Sequence, residues 1–297
     1  MAHPAVYIIL NICTNVSIIL VNKYVFAVYG FNFPTLVTFF HFVATSIGLR
    51  IMARCGLFEA KPLTVMQVLP LAACYALCTP LSNLSLGFNS VGFYQMMKIL
   101  TTPYVAIVQS TFYGVGFSAA IKMCLTLVVI GVIFATVHDV EVNMRGTVYA
   151  VACMVVTAQY QIYVGTKQKE LGVNSTQLLT NMVPVSAVIV LMLTPVLDRT
   201  GLFFEQENSL VNYEFTPAAM YAVAGSAILA VFVNLSIFLV IGATSPVTYN
   251  VVGHFKTVLI LSASFVLFAT PLNPKNILGM ALALCGMIGY THFKIAE

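Results

Sequence analysis

The chain has 297 residues, of which 60% are hydrophobic and 7% are charged, and its mean hydropathy is +0.96. This composition excludes an ordinary soluble domain, in which about a quarter of the residues are charged. The formal net charge of +4 does not indicate nucleic-acid binding, because the basic residues are scattered along the chain and form no cluster.

Apolar segments long enough to cross a hydrocarbon layer of about 30 Å recur from one end of the chain to the other. They predict an all-α membrane protein, a single polytopic transmembrane domain over residues 1–297 that lies in a lipid bilayer. The ten predicted transmembrane helices are 4–28, 34–54, 64–87, 90–113, 119–138, 143–166, 175–197, 216–242, 244–270 and 275–294.

The charges in the connecting loops predict the orientation of these helices. If both termini are cytosolic, the cytosolic side collects most of the loop cations, which the positive-inside rule favours. The far side then collects most of the loop acids. The cytosolic cations are then Arg50, Arg54, Lys61, Lys122, Lys167, Lys169 and Lys294, and the far side keeps Arg145, Arg199 and Lys275.

Two lysines lie in the middle of predicted transmembrane helices, Lys98 within 90–113 and Lys256 within 244–270. At about 1.5 Å per residue, each is more than about 10 Å from either helix end, further than a lysine easily snorkels. A charge at that depth costs at least about 2.5–3.5 kcal/mol and usually faces a cavity with a function. All nine acidic residues fall in predicted loops or at helix ends, so we expect an anionic ligand as the counter-ion.

A weak internal repeat with an offset of 155 residues divides the chain at about residue 140. With five helices in each half, 1–140 and 141–297, the second half must enter the membrane in the opposite direction. Inverted repeats of this kind are typical of secondary transporters, which bind the substrate near the midplane between the halves. The matches are Ser90 with Ser245, Tyr94-Gln95 with Tyr249-Asn250, and Gly131-Val132-Ile133 with Gly286-Met287-Ile288.

Helical periodicity predicts a polar stripe on each lysine-bearing helix. Glycine at position 253 leaves room for the close approach of a ligand or a partner helix. For each single serine or threonine, hydrogen bonding between helices is the alternative to a role in the site. The stripes are Ser90, Tyr94, Lys98 and Thr101/Thr102 on the fourth helix, and Ser245, Tyr249, Gly253 and Lys256/Thr257 on the ninth; the third helix adds Thr79, Ser82 and Asn83.

The segment 245–257, Ser-Pro-Val-Thr-Tyr-Asn-Val-Val-Gly-His-Phe-Lys-Thr, resembles the ninth helix of the triose-phosphate and nucleotide-sugar translocators of the drug/metabolite transporter superfamily. Asn22-Lys23, Phe33-Pro34 and the stretch 278–290 fit the same family, so the resemblance covers the whole chain. The pair Lys256-Thr257 resembles the subgroup that contains plant UDP-xylose and UDP-rhamnose/galactose transporters and the orphan E-type members of solute carrier family 35.

The resemblance implies a ten-helix antiporter of the Golgi or ER membrane that exchanges a nucleotide sugar for a nucleoside monophosphate. Lys98 and Lys256 match two phosphate-binding lysines of the phosphate translocators. Thr257 stands where those translocators have an arginine, Thr79 where they have a histidine, and Ser82 at a neighbouring polar position. With one cation fewer, we expect a diphosphate ligand, held by Lys98 and Lys256.

The remaining candidate residues would recognise the nucleobase or the sugar, because they supply donors, acceptors and ring faces. They are Tyr94, Gln95, Tyr249 and Asn250. Asn181 lies near the place of the Phe-Tyr-Asn-Asn motif of GDP-mannose carriers, but 179–182 reads Leu-Thr-Asn-Met, which does not favour guanine. Lys23 lies about five residues from its helix end, so a site role and snorkelling both stay open.

The sequence therefore predicts a UDP-sugar antiporter that exchanges for UMP. A triose-phosphate or phosphoenolpyruvate antiporter and a GDP-sugar carrier are the alternatives, and a homodimer stays open. A membrane enzyme is the alternative from another class, but it needs a general base or metal ligands near its site. The predicted helices contain no acid near the two lysines and the chain has no His-Glu-x-x-His motif, so no catalytic residue, metal or cofactor is predicted.

Overall fold

The computed structural model describes residues 4–89, 91–136, 143–202, 209–244, 249, 252–253 and 274–296, and every regular element in them is a helix. The prediction of an all-helical chain is therefore confirmed for these residues. Tyr249, Val252 and Gly253 are helical, but most of the predicted helix 244–270 lies outside the described residues. The helices are α1 Pro4–Tyr29, α2 Pro34–Arg54, α3 Val65–Phe88, α4 Val91–Ile99, α5 Thr101–Tyr113, α6 Ala119–Thr136, α7 Met144–Leu171, α8 Ser175–Leu197, α9 Pro217–Ala243 and α10 Pro274–Ala296.

Several of these helices are long and apolar enough to cross a membrane, as expected of a multi-pass membrane protein. Two shorter apolar helices, Ala119–Phe134 and Ile277–Phe293, accompany them among the described residues. Within the part of the chain that the structure describes, the six full-length candidate spans are Pro4–Phe26, Pro34–Arg54, Val65–Ser85, Met144–Leu171, Ser175–Leu197 and Pro217–Ala243.

The prediction of one unbroken helix over 90–113 is wrong, because α4 ends at Ile99 and α5 begins at Thr101. Pro103 explains the break. It has no N–H to donate to the Ile99 carbonyl four residues earlier, and its ring crowds that carbonyl. Leu100 keeps right-handed helical angles (φ −63°, ψ −16°), so the interruption is local and places Lys98 in the last turn of α4.

The chain divides into two compact units, of which unit 1 comprises Met1–Pro80 and Tyr163–Thr244. In unit 1, α1 packs on α9, and α2 packs on both α8 and α9. One of its cores joins the loop after α1 to the first turns of α2 and α9. The buried side chains of this core are Val25, Phe31, Phe33, Val37 and Val223.

Unit 2 comprises Leu81–Ile162 and Ser245–Glu297. Its most extensive described contact joins α6 to α10, and α4 and α5 also pack against α6. The first part of α7 covers α4, where Ala150 contacts Phe93 and Met97. A second core unites α5, α6, α7 and α10, with Val105, Ala106, Val108, Ile121, Leu125, Ala158, Ile162 and Tyr290.

Candidate functional site

The clearest cluster around a predicted site residue lies on α4 in unit 2. The Lys98 ammonium lies over the Tyr94 ring, with Nζ 4.3 Å from the ring centroid. The Tyr94 hydroxyl forms a hydrogen bond with the hydroxyl of Ser82 on α3. Tyr94 is buried (7% exposed), Ser82 is half-buried and the Lys98 side chain is exposed. The structure thus brings three predicted site residues together.

Local sequence explains this arrangement. Residues four apart on a helix lie on one face, so the lysine is directly above the tyrosine. A buried tyrosine hydroxyl normally finds a hydrogen-bond partner, which Ser82 provides. The face of the aromatic ring therefore favours a positive charge at position 98.

Other predicted residues have more limited descriptions. Thr79, in the unit 1 part of α3, and Asn83, in the unit 2 part, are both half-buried. Tyr249 is half-buried and lies one helical turn before Gly253, where an added Cβ would meet no described atom within 4 Å. Asn250, Lys256 and Thr257 lie outside the described residues, as do the side chains of Lys23 and Gln95.

Asn181 forms hydrogen bonds at the start of α8 in unit 1. Its amide nitrogen donates to the Lys61 carbonyl (2.8 Å) and to the Gln177 carbonyl (2.8 Å). Its amide oxygen accepts the main-chain N–H of Leu63 at 2.9 Å. These bonds tie α8 to the loop between α2 and α3, so substrate binding by this side chain requires their exchange.

Unit 1 also contains two sets of hydrogen bonds between buried polar side chains, which were not predicted from the sequence. The Ser226 hydroxyl on α9 donates to Asn22 Oδ1 on α1, and His41 Nε2 on α2 lies 2.8 Å from the same hydroxyl. Since the single hydroxyl proton goes to Asn22, His41 Nε2 is the donor to Ser226. These bonds join three helices through one serine.

The second set of hydrogen bonds in unit 1 centres on Asn234, also on α9. Tyr75 on α3 donates its hydroxyl to Asn234 Oδ1 at 2.6 Å, and Asn234 Nδ2 donates to the Thr45 hydroxyl on α2 at 2.8 Å. Ser226 and Asn234 are eight residues apart and so lie on one face of α9. That spacing was the available signal for a polar face that binds other helices.

A buried acid in unit 1 caps the first turn of α2. Asp198, directly after α8, accepts the main-chain N–H groups of Thr35 (3.1 Å) and Leu36 (2.8 Å) at the start of α2. A carboxylate there interacts favourably with the positive end of the helix dipole. Burial raises the pKa of Asp198, and the hydrogen bonds from Leu36 and Thr35 act in the opposite direction. Asp198 therefore acts as a structural cap.

Comparison with known proteins gives a consistent relationship over nearly the whole chain. The model of the Triose-phosphate Transporter family matches residues 3–291. UDP-xylose transporter 3 of Arabidopsis thaliana is 38% identical over 288 residues, which are 97% of this chain and 80% of that protein. UDP-rhamnose/UDP-galactose transporter 2 of the same plant is 33% identical over 284 residues, or 95% of this chain and 80% of that protein.

A solved crystal structure that is 12% identical in sequence has a similar fold. The similarity has a TM-score of 0.58 and covers 97% of this chain and 98% of the other. At this identity the likeness concerns the fold alone.

Proposed function

The chain belongs to the Triose-phosphate Transporter family, and from this premise we propose that it is a nucleotide-sugar transporter that exchanges a UDP-sugar for UMP across the Golgi or ER membrane. The observation that carries the proposal is the 33–38% identity, over 95–97% of the chain, to plant proteins named for the transport of UDP-sugars. The family relationship also favours a transporter over an enzyme.

The chemistry of the α4 cluster supports an anionic ligand. Lys98 presents a compact charge held over an aromatic ring, and Lys256 supplies the second intramembrane cation of the sequence. Two separate ammonium groups suit the two phosphate groups of a nucleotide sugar. Where the predicted membrane segments place these charges in a medium of lower dielectric constant than water, their attraction to a phosphate is stronger than that of surface lysines.

Exchange by alternating access draws support from the contact between α6 and α10. A Cβ built on Gly131 would clash with the Ala283 nitrogen and would lie 2.7 Å from the Gly279 oxygen. A Cβ built on Gly286 would lie 2.9 Å from the Val128 nitrogen and 2.8 Å from the Cys124 oxygen. Subtracting 155 from 286, 283 and 279 gives 131, 128 and 124, so the two contacts are the same contact with the helices exchanged.

That symmetry is the one expected of inverted repeats. Gly131 lies beside 279–283, and Gly286 lies beside 124–128, so the two helices run antiparallel. Helices related by a two-fold axis perpendicular to their length must do so. The composition of the units agrees: 163–244 less 155 is 8–89, close to the 1–80 of unit 1, and 245–297 less 155 is 90–142, within the 81–162 of unit 2. The repeat therefore supports the ten-helix, two-repeat architecture.

The proposal is tested by uptake into proteoliposomes that are empty or preloaded with UMP, GMP or CMP. We expect uptake of labelled UDP-xylose or UDP-galactose that requires trans UMP, because a shared central site reorients most readily when occupied. Equal uptake into empty and UMP-loaded vesicles would contradict exchange.

The same assay separates the alternatives. Preference for GMP with GDP-mannose would indicate a GDP-sugar carrier. Uptake of triose phosphate or phosphoenolpyruvate that ignores all nucleotides would indicate a phosphometabolite antiporter. We expect Lys98→Ala to lose uptake, and Lys122→Ala, which removes an exposed lysine in the first turn of α6, is the matched control for the loss of one cation.

A further inference from the structure

Within unit 2, Tyr94 makes one contact through its hydroxyl and another through a face of its ring. Its hydroxyl is bonded to Ser82 on α3, and one ring face carries the Lys98 ammonium at 4.3 Å from the centroid. The ring itself is buried, with 7% of its surface exposed. A side chain with its hydroxyl and a ring face engaged in this way has little left to offer a nucleobase or a sugar.

The Ser82 bond fixes the long axis of the Tyr94 ring, because the hydroxyl and Cβ both lie on that axis. Burial of the ring, which is only 7% exposed, restrains its rotation about the axis. The fixed ring then offers its electron-rich face to the ammonium at one defined place. Lysine has a flexible four-carbon stem, so selecting one conformation before the ligand arrives lowers the ordering cost of binding. Ser82 on α3 thus helps to set the position of the Lys98 ammonium by orienting the Tyr94 ring between them.

We propose that Tyr94 is a positioning residue, anchored by Ser82, that holds the Lys98 ammonium where the phosphate part of the ligand binds. The inference rests on the proposed function, in that Lys98 is the group that meets the anion. It changes the interpretation of Tyr94 from a contact for base or sugar to a support for the cation.

The repeat offers a natural comparison. At the offset of 155, Tyr249 corresponds to Tyr94, whereas Gly253 corresponds to Lys98. The second stripe therefore has the tyrosine without a lysine one turn later. The pair of a tyrosine and a lysine one turn later therefore belongs to the first repeat.

The test is a double-mutant cycle of Ser82→Ala and Tyr94→Phe in the full chain, with binding of inorganic pyrophosphate, UMP and UDP-xylose measured by calorimetry in detergent. Each single variant should weaken all three ligands by the same factor, about 3–10-fold, the scale of one lost hydrogen bond. The double variant should show that same factor and not its square, since both changes remove one bond. In a Lys98→Ala background, neither change should have any further effect.

Other outcomes overturn the proposal. Multiplying effects in the double variant would show that the hydroxyls act separately. A Tyr94→Phe effect on UDP-xylose that leaves pyrophosphate binding unchanged would show direct contact with base or sugar. Absence of pyrophosphate, UMP and UDP-xylose binding in the unmodified protein would remove Lys98 as an anion ligand.

Two controls keep the test decisive. Tyr221→Phe and Ser110→Ala remove the same atoms from exposed positions and should leave binding unchanged. Tyr94→Phe preserves the ring, so the packing of this buried side chain is retained in the cycle. If pyrophosphate binds and the cycle is non-additive while no nucleotide sugar is transported, the proposed function fails and the positioning role stands. If a nucleotide sugar is transported in exchange for UMP but the cycle is additive, the proposed function stands and the positioning role fails.

Discussion

The two compact units hold their helices together by different means. In unit 1, buried side chains bond across α1, α2, α3 and α9 through Ser226 and Asn234. In unit 2, α6 and α10 approach so closely at Gly131 and Gly286 that main chain meets main chain. Small residues and interhelical hydrogen bonds are both established ways to associate helices in lipid, where the hydrophobic effect between helices is absent.

Polar residues in the two units therefore have different implications for ligand binding. Unit 1 has polar groups that are buried and bonded to each other, so their presence does not by itself indicate a ligand. Lys98 in unit 2 is a full charge placed over a ring, and its side chain is exposed. Neutral hydroxyls and amides can be satisfied by neutral neighbours, whereas a cation still gains from an anion.

The largest effect is expected from Lys98→Ala, which should abolish transport and leave folding intact. Losing one partner of a desolvated charge pair costs about 2–5 kcal/mol of binding free energy. The stability of the empty protein should not fall, because an intramembrane charge is itself costly. Uptake normalised to folded protein, together with thermal unfolding in detergent, measures both. Near-normal uptake would place Lys98 outside the site.

Alanine at Gly131 or Gly286 should have the next largest effect, and it should appear in stability. The added Cβ meets main-chain atoms that cannot rotate away, and overpacking of this kind costs about 1–3 kcal/mol. Because the two contacts are equivalent, the two variants should lose similar amounts of unfolding free energy. Gly225→Ala, on α9 with open space around its Cβ, is the matched control and should be neutral or slightly stabilising. Clearly unequal losses would argue against the symmetric contact.

Asn234→Ala, in unit 1, should lower stability and leave ligand binding intact, which is the opposite of the result expected for Lys98→Ala. It leaves the Tyr75 hydroxyl and the Thr45 hydroxyl without their shared partner at a position only 7% exposed. Interhelical bonds in membranes contribute about 0.6 kcal/mol on average, so two of them predict a loss of about 1–2 kcal/mol. UMP binding by the folded fraction should stay normal. Weakened UMP binding at unchanged stability would mean that the hydrogen bonds of Asn234 support a binding site.

Much of the fold could be predicted because apolar length and helix ends are local properties. The bounds of α2 and α8 agree with the sequence prediction at both ends. The break before α5 was missed because a proline inside a membrane helix is tolerated or not according to its neighbours. The Tyr94–Lys98 contact follows from i, i+4 spacing, but the Ser82 bond depends on how α3 turns toward α4, which no spacing encodes.

The role of Asn181 also depends on tertiary contacts that the sequence does not reveal. Its position suggested a ligand contact, yet its bonds go to the loop 55–64, whose path over α8 cannot be predicted from composition. Asp198 was predicted only as a loop acid on the far side. Its role as a cap depends on the start of α2, more than 160 residues earlier in the chain.

The smallest effect is expected from Asp198→Asn, and its dependence on pH is the informative part. Burial, the larger cause, raises the pKa of Asp198 above its ordinary value, although the N–H groups of Leu36 and Thr35 lower it. A carboxyl with a raised folded-state pKa binds its proton more tightly in the folded protein than in the unfolded chain. Its contribution to stability is therefore full below the unfolded pKa and is lost as the pH rises through the folded pKa.

The melting temperature of the unmodified protein should then exceed that of Asp198→Asn most at acidic pH, and the gap should narrow toward neutral pH. The asparagine cannot ionise, and its single amide oxygen replaces only part of the cap, so about 1 kcal/mol is the scale at stake. Glu214→Gln, which neutralises an exposed acid in the loop before α9, should leave the pH profile unchanged. A gap that widens as the pH rises would mean that the main-chain N–H groups and the α2 dipole outweigh burial, and that the cap is strongest as a carboxylate.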